Sequence, residues 1–481
     1  AEGLSRNFIG TVRPNVTFHK IFQDKHDLDV SVYGEYVTSV FKSFNFTGYG
    51  TDPKRPNTPA ATTQGNAVNQ LYSVVGGGRS RSSILSGLAL LRYTYNGKYT
   101  LTGSFRRDGS SKLPSETRWQ SFWSVGGIWD ATKEKFLENS NFVNVLRVKL
   151  SYGGSGNADN FPGGDYPYQA QYSQGSYSGL QTIVAITPGN PELKWETTWV
   201  TNLGIDFELW KRRIYGDLNL YNKVTKDLFV QKTLSAVSGF GSIDQNLGKL
   251  GNKGVELNLN VDVVRNNKVT WTVFGNLGYN KNEVLSLGGE PPYEVGTELI
   301  TKGLPLGTHY EVKWAGVDAA TGKPLYYDKD GNITDNYDAD ARVQTFGTWD
   351  APWKGGFGTR VSYKGFDLST LFSWQKGATK VDNMEYFMEN PVGFLANGYN
   401  QSSDLVFWQK PGDIVNTPSP LYGVNFSSKI IHNADFLRLR DVTLAYTLPR
   451  ATLAKTKVIS NARIYVQGSN LFIWTKWRGP D

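Results

Sequence analysis

Runs that alternate apolar and polar side chains recur from one end of this chain to the other, and they constrain the fold more than any other feature. The clearest places Val255, Leu257, Leu259, Val261 and Val263 on one face and Glu256, Asn258, Asn260 and Asp262 on the other. A two-residue period is that of a β-strand with two unlike faces, and a register slip of one would turn the whole acidic set to the wrong side. Val30, Val32, Gly34 and Tyr36 repeat the pattern, as do Tyr99, Leu101, Gly103 and Phe105, and Val442, Leu444, Tyr446 and Leu448. Leu437 and Leu439 sit one residue out of phase with Val442, which predicts a β-bulge near Arg440 to Asp441.

The connections between these runs alternate in length. Tyr95 to Lys98, Lys211 to Arg213, Arg265 to Lys268 and Tyr363 to Phe366 are tight polar turns. Between them lie Tyr49 to Arg81, Gly153 to Glu196, Gln231 to Lys253 and Gly377 to Asn433, far beyond ordinary loop lengths. A soluble sandwich has no reason to keep its loops short at one end and long at the other. An outer-membrane barrel does, with short periplasmic turns and long extracellular loops. The expected fold is therefore all-β, an antiparallel transmembrane β-barrel. About 16 strands are expected, including a pair at His309 to Asp318 and Pro324 to Asp328. Helical content is expected to be small, with a helix or turn in the connector Pro449 to Ile459 and another between Thr132 and Asn139, and Gly76 to Arg79 reads as a loop breaker.

Composition agrees. The 481 residues contain no Cys, which excludes a disulfide scaffold and suits an exported protein. A mean hydropathy of −0.41 comes with no apolar run near the roughly 18 residues of a membrane helix. A wide barrel meets lipid only with alternate residues, so it escapes that test. The net charge of +8 is scattered along strands and loops rather than gathered in a patch, which argues against nucleic acid. Arg147 and Lys149, for instance, read as parts of a solvated wall; attraction of an anionic substrate or lipopolysaccharide is the sharper alternative. Strand-end aromatics, among them Trp119, Phe122, Trp123, Trp195, Trp199, Trp353 and Trp474, read as interfacial girdles.

Several segments, in order, resemble the SusC/RagA family of TonB-dependent outer-membrane transporters: LRVKLSYGGSGN from Leu146, NPELKWETTWVTNLGIDFELWKRRIYGDLNLYNKVTKDL from Asn190, LGKLGNKGVELNLN from Leu247, AGVDAATGKPLYYDKDGN from Ala315, WQKPGD from Trp408, and FLRLRDVTLAYTLP from Phe436 followed by ARIYVQGSNLFIWTKWRGPD. The resemblance implies a Bacteroidetes outer membrane and residues 1–481 as part of a barrel of about 22 strands. The plug, about five first strands and the last strand would lie outside this segment. It further implies active import of oligosaccharide or oligopeptide, a SusD-like surface lipoprotein partner, and TonB acting through an upstream segment. A passive or structural barrel, or a secreted soluble all-β glycan-binding protein, is the alternative.

Catalysis finds little support. His19, His26, His309 and His432 stand in no ligand spacing and no Cys can act as nucleophile, so the chain reads as a non-enzyme without a cofactor. Asp328, Asp330 and Asn332 offer oxygen ligands at alternate positions and are the candidate calcium residues. An EF-hand loop would want Gly at Ile333 and Glu at Ala339, so a plain acidic turn is the competing reading. Candidate substrate-binding residues are the loop aromatics Tyr166, Tyr168, Tyr172 and Tyr177 in one long segment and Tyr386, Phe387, Tyr399 and Trp408 in another. Their rings can stack on sugars or grip peptide side chains, or simply pack the loops. The WQKPGD segment reads as shaping its loop.

Overall fold

The computed structural model describes residues 1–55, 58–158, 164–390, 398, 400–401, 403–453 and 458–479. Fifteen strands join in one antiparallel sheet in which neighbours in space are neighbours in sequence. They are β1 (Glu2–Val12), β2 (Asn15–Phe22), β3 (His26–Thr47), β4 (Val74–Tyr95), β5 (Tyr99–Ser110), β6 (Trp119–Asp130), β7 (Val143–Asn157), β8 (Glu196–Leu209), β9 (Ile214–Lys226), β10 (Lys249–Arg265), β11 (Val269–Ser286), β12 (Trp353–Tyr363), β13 (Phe366–Lys376), β14 (Phe436–Thr447) and β15 (Arg463–Thr475). Contacts divide the chain into two compact units, one of Ala1–Ile128, Ser151–Val200 and Thr225–Leu247, the other of Trp129–Leu150, Thr201–Val224 and Gly248–Asp481.

β1 and β2 both run along β3 in a single register, Val12 opposite Tyr36 and Asn15 opposite Tyr33. The break falls at Pro14, which has no N–H to donate but whose carbonyl oxygen accepts from Gly34 N at 3.1 Å. The two therefore make one span. The expected strands near His309 and Pro324 do not join the large sheet. Glu311–Val312 pairs with Arg342–Val343, and Trp314–Val317 with Pro324–Tyr327 and then Ile333–Thr334, all in the connection from β11 to β12. Glycines at positive φ, Gly307, Gly322 and Gly331, cut that stretch into pieces of two to four residues. The remaining expected strands each fall on a span.

The bulge lies where the phase change puts it. Against β13, Asp441 pairs with Leu371 and Leu439 with Phe372, leaving Arg440 as the extra residue. The Gly76 to Arg79 stretch is a correction: it lies inside β4, and β4 begins at Val74. Gly77 is required there, because its φ is +155° and a Cβ would stand 2.4 Å from the Ser43 carbonyl oxygen. Among the described residues, the two connectors hold a 3-10 turn at Ala131–Lys133 and a helical turn at Arg450–Leu453. A helix the sequence did not suggest, α1 (Asn383–Glu389), lies in a long loop.

The two faces of the sheet separate cleanly across β10 to β13. Leu257 faces Leu277, Val261 faces Val273, and Gly275 faces both Leu259 and Phe357. Phe357 stacks on Phe372 at 5.0 Å. Leu257, Leu259, Val261, Leu277, Phe357 and Trp374 help line a shallow apolar groove on an open surface. On the opposite face Asn258 donates to both Asp217 carboxylate oxygens at 3.1 and 3.2 Å, and Thr272 donates to Asp262 at 2.8 Å. Arg147 and Lys149 find partners on the polar face in Asp130 (3.3 Å) and Asp206 (2.5 Å).

Trp123, Tyr152 and Trp199 meet one another at 5.3 to 5.6 Å, as girdle residues would. Phe122 and Trp195 do not behave as girdle residues. They are buried with Leu113, Leu193 and Ala158 in a small core at the long-loop end of the strands.

An apolar face open to hydrocarbon and a hydrogen-bonded polar face make a sharp prediction. Leu257→Arg near the bilayer midplane should cost about 2 to 4 kcal/mol of refolding free energy. Asn258→Leu should cost about 1 kcal/mol, the loss of its bonds to Asp217. Equal penalties for the two variants in refolding into lipid bilayers would overturn the assigned facing.

Candidate functional site

The long connections are folded objects of their own. In the first unit the segment from Asn190 to Glu196 is the knot. Asn190 donates to the Asp244 carbonyl oxygen at 2.8 Å, Lys194 N donates to the Asn246 side chain at 2.9 Å, and Asn246 donates back to the Lys194 and Asp227 carbonyl oxygens, each at 2.8 Å. Trp195 donates its indole N–H to the Arg118 carbonyl oxygen at 2.8 Å and meets Phe122 edge-on. Glu196 accepts from Asn157 and from Phe229 N. A motif that sequence alone marks only as familiar thus fixes three connections to one another.

On this base the four tyrosines divide into two pairs. Tyr166 donates to the Arg81 carbonyl oxygen at 3.3 Å, and Tyr168 packs against the buried core. Both hold the loop. Tyr172 and Tyr177 lie on a hairpin, Gln171–Tyr177 with Leu180–Thr187, and are 63% and 77% exposed. Beside them Leu180 and Ile183 are as open to solvent.

In the second unit Tyr386 and Phe387 come from α1. Tyr386 stacks on Phe426 at 4.0 Å, whereas Phe387 leaves a large part of its ring exposed. Tyr399 lies outside the described residues. Trp408 donates to the Ala319 carbonyl oxygen at 3.0 Å and lies over Gly322, where a Cβ would come within 2.4 Å of the ring. Asp413 accepts from Gln409 N and Lys410 N at 3.0 Å each, which closes the WQKPGD turn. Trp408 therefore serves the loop's shape.

Asp328, Asp330 and Asn332 form the turn between Pro324–Tyr327 and Ile333–Thr334. Asp328 accepts from Asp330 N (2.9 Å), Asn332 N (2.8 Å) and the Asn332 amide (3.3 Å), so both its oxygens are engaged by its own turn. Another group with ligand atoms close together is His19, Asp27 and Asp29 on β2 and β3, and its negative charge is answered by Arg92, 2.9 Å from Asp29.

Sequence reasoning missed the buried charges. On the polar face of β3 to β5, Arg106 bridges Asp108 (2.6 and 2.8 Å), Glu35 and Ser86 (3.0 Å each), and Arg13 pairs with Glu35. Beside Arg106, Ile84, Leu88, Leu90, Phe122 and Trp195 help line a cavity of about 430 Å³. Its arginine and aspartate are engaged with each other, so what it offers a neighbour is apolar surface. In the loop from β11 to β12, Glu311 is 5% exposed. In the loop from β13 to β14, Lys429 is buried between Glu385 and Glu389. The only sequence signal for the latter was two glutamates four apart, visible once the stretch is known to be helical.

Burial pushes the Glu311 carboxyl up to about 7, against the opposing pull of Arg342. The folded loop therefore holds its proton more tightly than the unfolded chain. The stabilisation this brings is complete below the ordinary glutamate range and is lost as pH rises towards 7. The loop should lose on the order of 3 kcal/mol of local stability across that range, and Glu311→Gln should abolish the loss. Amide exchange of Glu311–Val312 against pH checks this, and a pH-independent wild type would refute it.

The TonB dependent receptor-like β-barrel family model matches residues 5–471. TonB-dependent receptor P39 of Formosa agariphila is 28% identical over 96% of this chain and 49% of its own length. TonB-dependent receptor SusC of Bacteroides thetaiotaomicron is 28% identical over 84% of this chain and 41% of its own. The chain thus spans less than half the length of these two relatives. Among solved structures, the RagAB peptide transporter superposes with a TM-score of 0.85 at 27% identity, over 99% of this chain and 53% of that one. The outer-membrane transporter YddB of Escherichia coli, at 13% identity and a TM-score of 0.50, shares the fold. With its alternating strands, its unequal loop ends and a family match over nearly its whole length, the chain belongs to the TonB-dependent receptor β-barrel family of the outer membrane.

Proposed function

We propose that this chain is the barrel portion of a SusC-like importer that takes up oligopeptides or oligosaccharides with a SusD-like surface lipoprotein and draws on TonB. The observation that carries the reading is the superposition of 99% of the chain on the RagAB peptide transporter, folded connections included. β1 and β15 are the edges of the sheet, and an edge in hydrocarbon leaves backbone donors and acceptors unmet. In this reading, strands from elsewhere in the longer polypeptide pair them, and a plug occupies the polar side.

Tyr172 and Tyr177, the most exposed of these rings, and Phe387, part-exposed on α1, are the proposed ligand contacts, while Tyr166, itself part-exposed but bonded to the Arg81 carbonyl, and Tyr168, Tyr386 and Trp408 keep the loops in shape. A flat aromatic face serves a pyranose ring or a peptide side chain alike. Calcium has no part in this reading, since Asp328 is already satisfied within its turn.

The full-length protein should be recovered only from detergent-extracted outer membranes and should bring a surface lipoprotein with it. Tyr177→Ala and Phe387→Ala together should slow uptake of labelled oligopeptide or oligosaccharide about tenfold or more, the loss of one to two stacking contacts, with unchanged protein levels. Recovery as a soluble protein, or uptake indifferent to removal of TonB, would sink the proposal.

A further inference from the structure

α1 has seven residues, too few to persist as a helix unaided. Asp382 caps it, accepting from Met384 N and Glu385 N at 3.1 Å each. What holds it down is the stacking of Tyr386 on Phe426 and, beside it, charge. Lys429, 5% exposed, places Nζ 3.1 Å from Glu385 Oε1 and 2.7 Å from Glu389 Oε2, so one ammonium spans two carboxylates on successive turns. His432 Nε2 contacts the other oxygen of Glu385. His432 lies on Ile431–Asn433, directly opposite Lys380 in the short ladder with Thr379–Val381, and its ring meets the edge of Trp477. The remaining charged group acting on it is Asp382.

Count the charges on this cluster. Asp382, Glu385 and Glu389 supply three negative charges against Lys429, and Lys380 sits off to one side over the Trp477 ring at 5.8 Å. His432 is the group whose charge changes near neutral pH. When it is protonated Glu385 has two cationic partners. When it is neutral a half-buried carboxylate keeps one, and the excess negative charge grows by a unit.

We infer that Glu385, Glu389, Lys429 and His432 form a proton-operated latch that clamps α1 onto the Ser428–Asn433 segment and loosens when His432 gives up its proton. The consequence reaches the loop surface, because α1 carries Phe387 and the exposed Met384. The latch goes beyond the transport reading and does not depend on which solute is carried.

The directions of titration fit. The hydrogen bond that His432 donates to Glu385 raises His432 above the ordinary histidine range, so the clamp is present below that range and lost as pH rises through the raised value. Burial pushes Glu385 up, but His432 and Lys429 outweigh it and its net shift is downward. The clamp therefore also fails in strong acid, as pH falls through the depressed value, and holds in the window between.

The test is amide exchange in the full-length transporter in detergent, read at Tyr386 to Glu389 and corrected for intrinsic rates. Glu311→Gln serves as the background, so that the other titrating loop is silent. Protection should fall severalfold as pH rises through the His432 titration. His432→Asn should show the low protection throughout, and His432→Arg should keep the high protection at alkaline pH. Flat protection across pH in the background protein, or a histidine-like profile surviving in His432→Asn, would overturn the latch. Should His432→Asn fail to fold, the Arg variant decides alone: loss of its alkaline protection refutes the proposal.

Discussion

In hydrocarbon a backbone N–H or carbonyl has no water to turn to, and every structural choice in this chain follows from that. A sheet of long, continuous antiparallel ladders satisfies each group against its neighbour. β3 and β4 hold register for 22 residues each without a shift, from His26 opposite Tyr95 to Thr47 opposite Val74. Pro14 is tolerated because it sits in the terminal span, where its missing donor costs only the local break between β1 and β2. The same demand fixes the side chains. Once the ladder is set, alternate residues must face hydrocarbon, and the polar set gathers on the other face, where Asn258, Asp217, Asp262 and Thr272 satisfy one another.

What was legible in the sequence was whatever the ladder dictates locally. The two-residue period of Val255 to Val263 gave the facing, and the phase change before Val442 gave the bulge at Arg440. The contrast between short turns and long connections gave the topology. What was not legible depended on contacts between segments far apart in sequence. Pro324–Tyr327 carries the composition of a barrel strand, yet its partners are the equally short pieces at Trp314–Val317 and Ile333–Thr334. No local pattern tells a two-rung ladder in a loop from a long one in a wall. Gly76 to Gly78 misled for the opposite reason: glycine punctuates most chains, but here it lets two strands close over Ser43.

The aromatic residues show the same limit. Rings near strand ends looked alike in the sequence, but their neighbours give them three different tasks. Trp123 and Trp199 lie with Tyr152 in a surface cluster. Trp195 and Phe122 fill a core with Leu113 and Leu193. Trp408 closes a loop through the Ala319 carbonyl and the bare backbone of Gly322. A buried indole wants an acceptor for its N–H, and where one is supplied by a distant carbonyl the ring becomes a fastener for two segments. Of the eight aromatics singled out as ligand contacts, four have such packing tasks and three lie open. That division, rather than residue type, separates scaffold from surface.

Charge is distributed by the same logic. The sheet can be stabilised by geometry alone, but the loops at its long-loop end have small cores, one of them built from Ala351, Ala378 and Ala434 beneath Trp477. Such a core leaves little apolar area to fix a loop conformation. Lys429, Glu385, Glu389 and His432 supply directional contacts in its place. Burying an ion pair adds little net stability compared with apolar packing, because both ions must leave water, but breaking one leaves a charge stranded. An arrangement of this kind selects one conformation sharply without making it very stable. The wall is held by its ladders, while the loop that presents Phe387 is held in part by charges that pH can change.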